Sequence, residues 1–188
     1  MDFRVGDGTF TPPAGVTRVF VQVWGAGGGG GGIGLIPVPL GGGGGAGGFA
    51  WCPVDVTPGT VYNVTVGLGG AGANAVGVNG TNGANTVLSG PSGILARGDG
   101  GTGGRAGLLP LTPSPGGNGF CSVGGTTRQG AEGQPPVVAQ GLAGPGGQPA
   151  VSGIVEPAPQ GAGTGGDGTV AALIPADNGG DGYAVIWW

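Results

Sequence analysis

The sequence predicts a mostly β fold with essentially no α-helix, in which a small antiparallel β-sheet or sandwich element is joined to a bundle of extended glycine helices. Three observations carry this. Apolar residues alternate with polar ones in short runs near both ends and in one central block. Glycine supplies 54 of the 188 residues and recurs at spacings of three, the repeat of a polyproline II helix. No window longer than a turn or two carries a helical apolar stripe free of glycine and proline, each of which destabilises a helix interior.

Among the strands, VTRVFVQVW (16–24) puts Val19, Val21 and Val23 on one face and Arg18, Phe20, Gln22 and Trp24 on the other, the period of a half-buried strand. FAWCPVDV (49–56), the turn-forming TPGT (57–60) and VYNVTVG (61–67) read together as a β-hairpin. TVLSG (86–90) and GILARG (93–98) are shorter candidates. YAVIWW (183–188) has the β-branched and aromatic content of a strand returning to the sheet.

Between Gly98 and Gly182 the strand signal nearly disappears. Glycines follow one another by threes at Gly98, Gly101, Gly104 and Gly107, at Gly116 and Gly119, and at Gly141, Gly144 and Gly147. The phase is too short-lived for collagen. A polyproline II helix makes no internal hydrogen bonds, so each N–H and C=O points outwards and, once buried, needs a partner. Rods without Cβ atoms can approach closely enough to bond to one another, at the entropic cost of ordering glycine. On this reading 25–32 and 41–48 are two such rods, joined by IGLIPVPL, and form a wall of the core. The chain is then one domain, with a strand element over 1–98 plus 181–188 and a glycine-rich region over 25–48 and 98–182. Valine at Gly101 or Gly104 is expected to clash with a neighbouring rod, whereas Ser114→Val, in a loop, is expected to be nearly neutral.

Composition excludes several functions. Only 7% of residues are charged and 38% are hydrophobic, the reverse of a disordered chain. A net charge of −4, with five arginines and no lysine, leaves no basic stripe for phosphates, so nucleic acid is not an expected partner. No run of about eighteen apolar residues offers a bilayer span, so membrane insertion is not expected either. The opening MDFRVGDG lacks the cationic and apolar regions of a signal peptide, which suggests synthesis in a cytoplasm.

No catalytic, cofactor or metal site is expected. Histidine is absent, which removes His-dependent triads and His-ligated metals. The nine carboxylates are scattered, and the several GxGxxG matches lack a following helix. GGDG at 165–168 and at 179–182 reads as turns rather than calcium repeats, and Arg97, Gly98 and Asp99 spell RGD by chance. Cys52 and Cys121 are too few for a disulfide framework and read as buried small hydrophobes or an incidental pair; whether they pair stays open.

FTPPAGVTRVFVQVWGAGGGG followed by GGGGAGGFAWCPVDVTPGTVYNVTVGLGG resembles the glycine-rich domain of bacteriophage tail and other virion proteins. The resemblance rests on Phe10, Pro13, Gly15, Val16, Trp24, Gly25 and Ala26, then on Val54, Val56, Thr57, Pro58, Gly59, Tyr62, Val64, Val66 and Gly67. It is tight over about 10–70 and compositional beyond. It implies a β-sheet element merged with a sandwich of polyglycine II helices, as in the adhesin tips of some long tail fibres, and it brings no catalytic residue. It implies a minor tail or tail-tip protein of the virion, with other virion proteins and a host cell-surface receptor as partners and self-association open. A capsid-decorating or head-fibre protein is the alternative, and an ice-binding protein, which would need a regular flat face, is a more distant one.

Proline- and aliphatic-rich segments interrupt the glycine runs: 33–40, 108–115, 134–140, 148–160 and 169–178. As end loops of a rod bundle they would be either hydrophobic plugs or a contact surface. The contact reading assigns partner binding to Leu35, Ile36, Val38, Leu108, Leu109, Val137 and Ile154.

Overall fold

The structure is a computed structural model and describes residues 2–3, 6–34, 39–107, 111–150 and 161–188. Among the described residues are ten strands: β1 (Asp2–Phe3), β2 (Gly6–Phe10), β3 (Arg18–Trp24), β4 (Phe49–Asp55), β5 (Tyr62–Val66), β6 (Thr86–Gly90), β7 (Gly93–Gly98), β8 (Gly119–Cys121), β9 (Thr126–Arg128) and β10 (Tyr183–Trp187). They make two five-stranded antiparallel sheets, ordered β1-β10-β3-β4-β9 and β2-β5-β6-β7-β8. No α-helix occurs among the described residues, only a 3-10 turn at Val138–Gln140.

The alternation in the sequence becomes a sandwich core. Val19, Val21, Val23, Cys52, Val54 and Ile186 of the first sheet meet Phe10, Tyr62, Val64, Val66 and Leu88 of the second. Burying a valine or leucine of this kind contributes about 1.5–3 kcal/mol. Cys52 on β4 and Cys121 on β8 form a disulfide between the two sheets, which resolves their pairing and replaces the reading of them as small hydrophobes.

The expected hairpin of 49–56 with 61–67 is corrected. β4 pairs with β3 and β9, while β5 pairs with β2 and β6. TPGT does turn, with Gly59 at φ 77° and the Thr60 amide donating to the Thr57 carbonyl at 3.1 Å, but it carries the chain from one sheet to the other. Alternation says which residues face the core and not from which side. Cys52 and Val54 face it from one sheet, Tyr62, Val64 and Val66 from the opposite one.

Beyond the sheets the chain continues as extended rods whose hydrogen-bond partners change with a period of three. In the rod 25–32, the amides of Gly25, Gly28 and Gly31 donate to Gly48, Gly45 and Gly42. Those of Ala26, Gly29 and Gly32 donate to Ala84, Thr81 and Val78, and those of Gly27 and Gly30 to Gly180 and Asp177. The carbonyls from Ala26 to Gly31 accept in the same rotation from Gly101 and Gly104, from Gly70 and Ala73, and from Gly166 and Thr169. Six rods therefore surround this one. The rod 41–48 is likewise surrounded, by 25–32, 99–106, 114–118, 130–134, 144–148 and 163–169. Among the described residues the two inner rods lie inside a closed ring of eight: 67–73, 78–85, 99–106, 114–118, 130–134, 144–148, 163–169 and 176–182. Each ring member runs antiparallel to the next. Both inner rods are buried throughout. The inner rods carry a Cβ only at Ala26 and Ala46, and at nearly every other position there is no room for one: a Cβ on Gly29 would fall on the Ala71 carbonyl and one on Gly44 on that of Gly28.

Ring rods have water on one side, and side chains complete their bonding where a neighbour offers no carbonyl. Asn85, Asn82 and Asn79 accept from the amides of Gly100, Gly103 and Ala106 at 2.9, 2.9 and 2.8 Å, a side-chain ladder with the same period. Asn178 and Asp181 do the same for Gly72 and Gly69, both at 2.8 Å.

Several expectations shift. The segment 67–85, placed with the strands, is mostly two rods, and 98–182 contains β8 and β9. Gly98 closes β7 and Gly119 opens β8, while Gly141 sits at φ 66° in a turn. Ser114 is not a loop residue: it is 2% exposed and its backbone exchanges two hydrogen bonds with Gly133. β3 is not half-buried either, because on its second face Gln22 and Trp24 are 0% and 1% exposed and only Arg18 and Phe20 reach solvent.

Candidate recognition surface

Chain direction decides where the loops gather. The rods 25–32, 67–73, 99–106 and 130–134 continue β3, β5, β7 and β9 away from the sandwich. The rods 41–48, 78–85, 114–118 and 176–182 return and become β4, β6, β8 and β10. The described parts of the connections, 33–34 with 39–40, 74–77, 107 with 111–113, 135–143 and 170–175, therefore meet at the far end. The pair 144–148 and 163–169 is joined at the sandwich end instead, where Ala150 and Ala162 pack against Trp24, Phe49, Tyr183 and Val185.

Each described far-end loop is anchored to its rods. The Gly77 amide donates to Ile33 at 2.8 Å and the Gly32 amide to Val78 at 2.9 Å. Val137 and Leu142 bridge their backbones at 2.9 and 3.3 Å across the 3-10 turn that Gly141 caps. The Thr169 hydroxyl donates to the Ile174 carbonyl at 2.8 Å. Proline stiffens the same end, with Pro135 and Pro136 lining a crevice against Leu111, Thr112 and Arg105.

From these anchored loops Val76, Val137, Val138, Leu142, Val170, Leu173 and Ile174 project into solvent, with Val78 exposed at the root of the rod that follows 74–77. Leu173 is 96% exposed. None of the five far-end connections contains an acidic or basic residue. An exposed aliphatic cluster without charge costs solubility unless something covers it, and such patches mark interaction sites. The arrangement offers an apolar partner a surface to pack against.

Of the residues assigned to partner binding from sequence, Val137 is at this end and 44% exposed. Leu35, Ile36, Val38, Leu108, Leu109 and Ile154 lie outside the described residues. Described residues on either side of Ile154, Ala150 and Ala162, are at the sandwich end. Val76, Val78 and Leu142 lie outside the proline-rich segments, and the signal that could have found them is an aliphatic residue between two rods, with or without proline.

The acidic motifs are accounted for by packing. Asp167 accepts from the Gly146 amide at 2.6 Å and Asp181 from Gly69, so both GGDG stretches stitch rods. Arg97 lies 2.6 Å from Asp99, and its guanidinium stands over the Phe120 ring at 5.6 Å, which ties the RGD tripeptide into the end of β7.

A β-sandwich whose strands run on into a hexagonally bonded set of glycine rods defines a glycine-rich structural domain. The family model described as a glycine-rich domain matches residues 4–188, and the chain belongs to that family. A search of curated proteins finds no match to it.

Proposed function

We propose that this is a non-enzymatic structural protein of a bacteriophage particle, a minor tail or tail-tip protein whose far-end loops attach to a host cell-surface receptor. The observation that carries the reading is the cluster of charge-free, solvent-facing aliphatic loops at the end of the rod bundle opposite the sandwich. Its support is mechanical. We read the rods as polyglycine II helices, because three residues make one hydrogen-bonding cycle and six neighbours take the bonds. At about 3.1 Å per residue, a rod of 25–32 holds its loop roughly 25 Å from the sandwich. Loops fixed at both roots lose little entropy on binding, and several copies on one particle would add avidity. The sandwich end is then free to join other virion proteins. A capsid-decorating or head-fibre protein would use the same geometry elsewhere on the particle, and the position of the chain in an electron-microscopy map of the virion separates the two.

The test is competition. Purified chain is expected to block adsorption of the phage, and a Leu142→Ser, Leu173→Ser, Ile174→Ser variant is expected to block at least tenfold less well while unfolding at the wild-type midpoint. Unchanged competition by the folded variant would make these loops plugs and remove the recognition reading.

A further inference from the structure

The outer face of the first sheet carries a second surface that the loop reading does not use. The β3–β4 register places Arg18 beside Asp55, Phe20 beside Pro53 and Gln22 beside Trp51, and Trp187 on β10 pairs with Phe20 from the other side. Phe20 is the centre of an aromatic row across three strands. Its ring lies 5.9 Å from that of Trp187 and 6.4 Å from that of Trp51, with planes tilted by only 24° and 28°. Face-to-face rings would be much closer than this, so the three are displaced sideways. Phe20 is 37% exposed, and Trp51 and Trp187 are partly so.

Polar groups accompany the row. At one end Arg18 and Asp55 form an exposed ion pair at 2.7 Å, two planar groups with hydrogen-bonding capacity to spare. Toward the other end, where Gln22 pairs with Trp51, both amide atoms of the fully buried Gln22 and the indole N–H of Trp51 have no hydrogen-bond partner. Buried polar atoms of this kind are rare, and each calls for a water or ligand group that completes it.

We propose that this face is a saccharide-binding site, with sugar rings laid on Phe20 and Trp187 and their hydroxyls bonded by Arg18, Asp55 and, through ordered water, by Gln22 and the Trp51 indole. A sugar matches the surface in both respects. Its C–H faces are weakly positive and suit the negative faces of aromatic rings. Its hydroxyls donate and accept at once, as the mixture of carboxylate, guanidinium, amide and indole requires. A purely apolar partner would leave the Gln22 and Trp51 groups unmet. The row covers two ring-to-ring steps, which favours an oligosaccharide over a monosaccharide.

The experiment is calorimetric titration of the whole chain with hexasaccharides of glucose, galactose, mannose and N-acetylglucosamine. Saturable binding of at least one is expected. Phe20→Ala and Trp187→Ala should each weaken it at least tenfold without unfolding the protein. Gln22→Leu should weaken it while raising thermal stability, an outcome that a merely structural glutamine would not give. The triple serine variant in the far-end loops should bind the sugar as well as wild type, which keeps this proposal separate from the attachment reading. No saturable binding of any of the four, or binding unchanged in both folded alanine variants, would overturn it. So would a concentration-dependent dimer in sedimentation that Phe20→Ala abolishes, because the face would then belong to a second copy.

Discussion

At the residue scale the fold depends on what is missing from glycine. Gly29 donates to Thr81 and accepts from Gly104, and its missing Cβ is the space that the Ala71 carbonyl occupies. Gly29→Val must push backbone away from backbone, and overpacking of this kind costs about 1–3 kcal/mol, with the upper end expected for a rod enclosed on six sides. Thr102, also in a rod, has its side chain exposed, so Thr102→Val is expected to stay within about 0.5 kcal/mol. Urea midpoints of the two variants check this, and equal losses would mean that rod contact is not what selects glycine. Gly101 and Gly104 meet the same condition, against the carbonyls of Gly45 and Gly42. Ser114→Val changes sides, since its site is now a buried rod position and no longer a neutral control. Charge matters far less here. The hydrogen bond from Arg18, and then its charge, hold the Asp55 carboxyl below the usual carboxylate range. A depressed carboxylate adds stability above the ordinary range and loses it as pH falls through the folded value. Both side chains are mostly exposed, so Arg18→Gln is expected to leave the neutral-pH midpoint unmoved.

At the element scale two devices join parts that hydrogen bonds along one strand cannot. Removing the disulfide with Cys52→Ala and Cys121→Ala reopens a loop of 69 residues, and loop entropy puts the loss at about 4 kcal/mol. A reducing agent should lower the wild-type midpoint by a similar amount and leave the double variant unaffected. The asparagine ladder is the second device. Asn82→Ala strands the amide of the buried Gly103, a loss of about 1–3 kcal/mol, and that amide should then exchange with solvent faster than its neighbours. These elements also show what was legible. The alternating runs of β3 and β5 stand out in the sequence because period two needs no partner to be read, and β10 stands out by its β-branched and aromatic residues. The short β8 and β9 do not, because GFC and TTR carry no period and exist by pairing to β7 and β4. Sheet membership was hidden for the same reason that a hairpin looked natural at TPGT. The far-end surface was half legible: interruptions between glycine runs mark loops, but which end a loop is rooted at follows from the parity of rods, and Ala150 and Ala162, after 144–148 and before 163–169, are at the sandwich end.

At the scale of the whole molecule, sandwich and bundle share the same chain segments, and this bears on how the protein unfolds. Among the described residues eight rods are direct continuations of strands, and 144–148 and 163–169 are not. β3 ends at Trp24 and the first rod bond begins at Gly25, with no linker between them in which one part could loosen without the other. Trp24 itself is packed by Phe49 and Tyr183, which stand at the same junction on β4 and β10, with centroids 4.8 and 5.6 Å away. Releasing one inner rod would orphan carbonyls and amides on six others, and each buried group left unmade costs about 1–3 kcal/mol. The bundle should therefore hold until the sandwich fails. We expect one cooperative transition, with the amides of 25–32 and 41–48 exchanging at the same free energy as those of β3 and β4, because both are reached only through global opening. The rim should differ. Amides of 144–148 and 163–169, in rods not continuous with a strand, are expected to open at lower free energy than those of the inner rods. Native-state hydrogen exchange across a denaturant series resolves the order. Inner-rod amides that exchange ahead of β3 and β4 would show two separately folding parts and would remove the shared-segment account of stability.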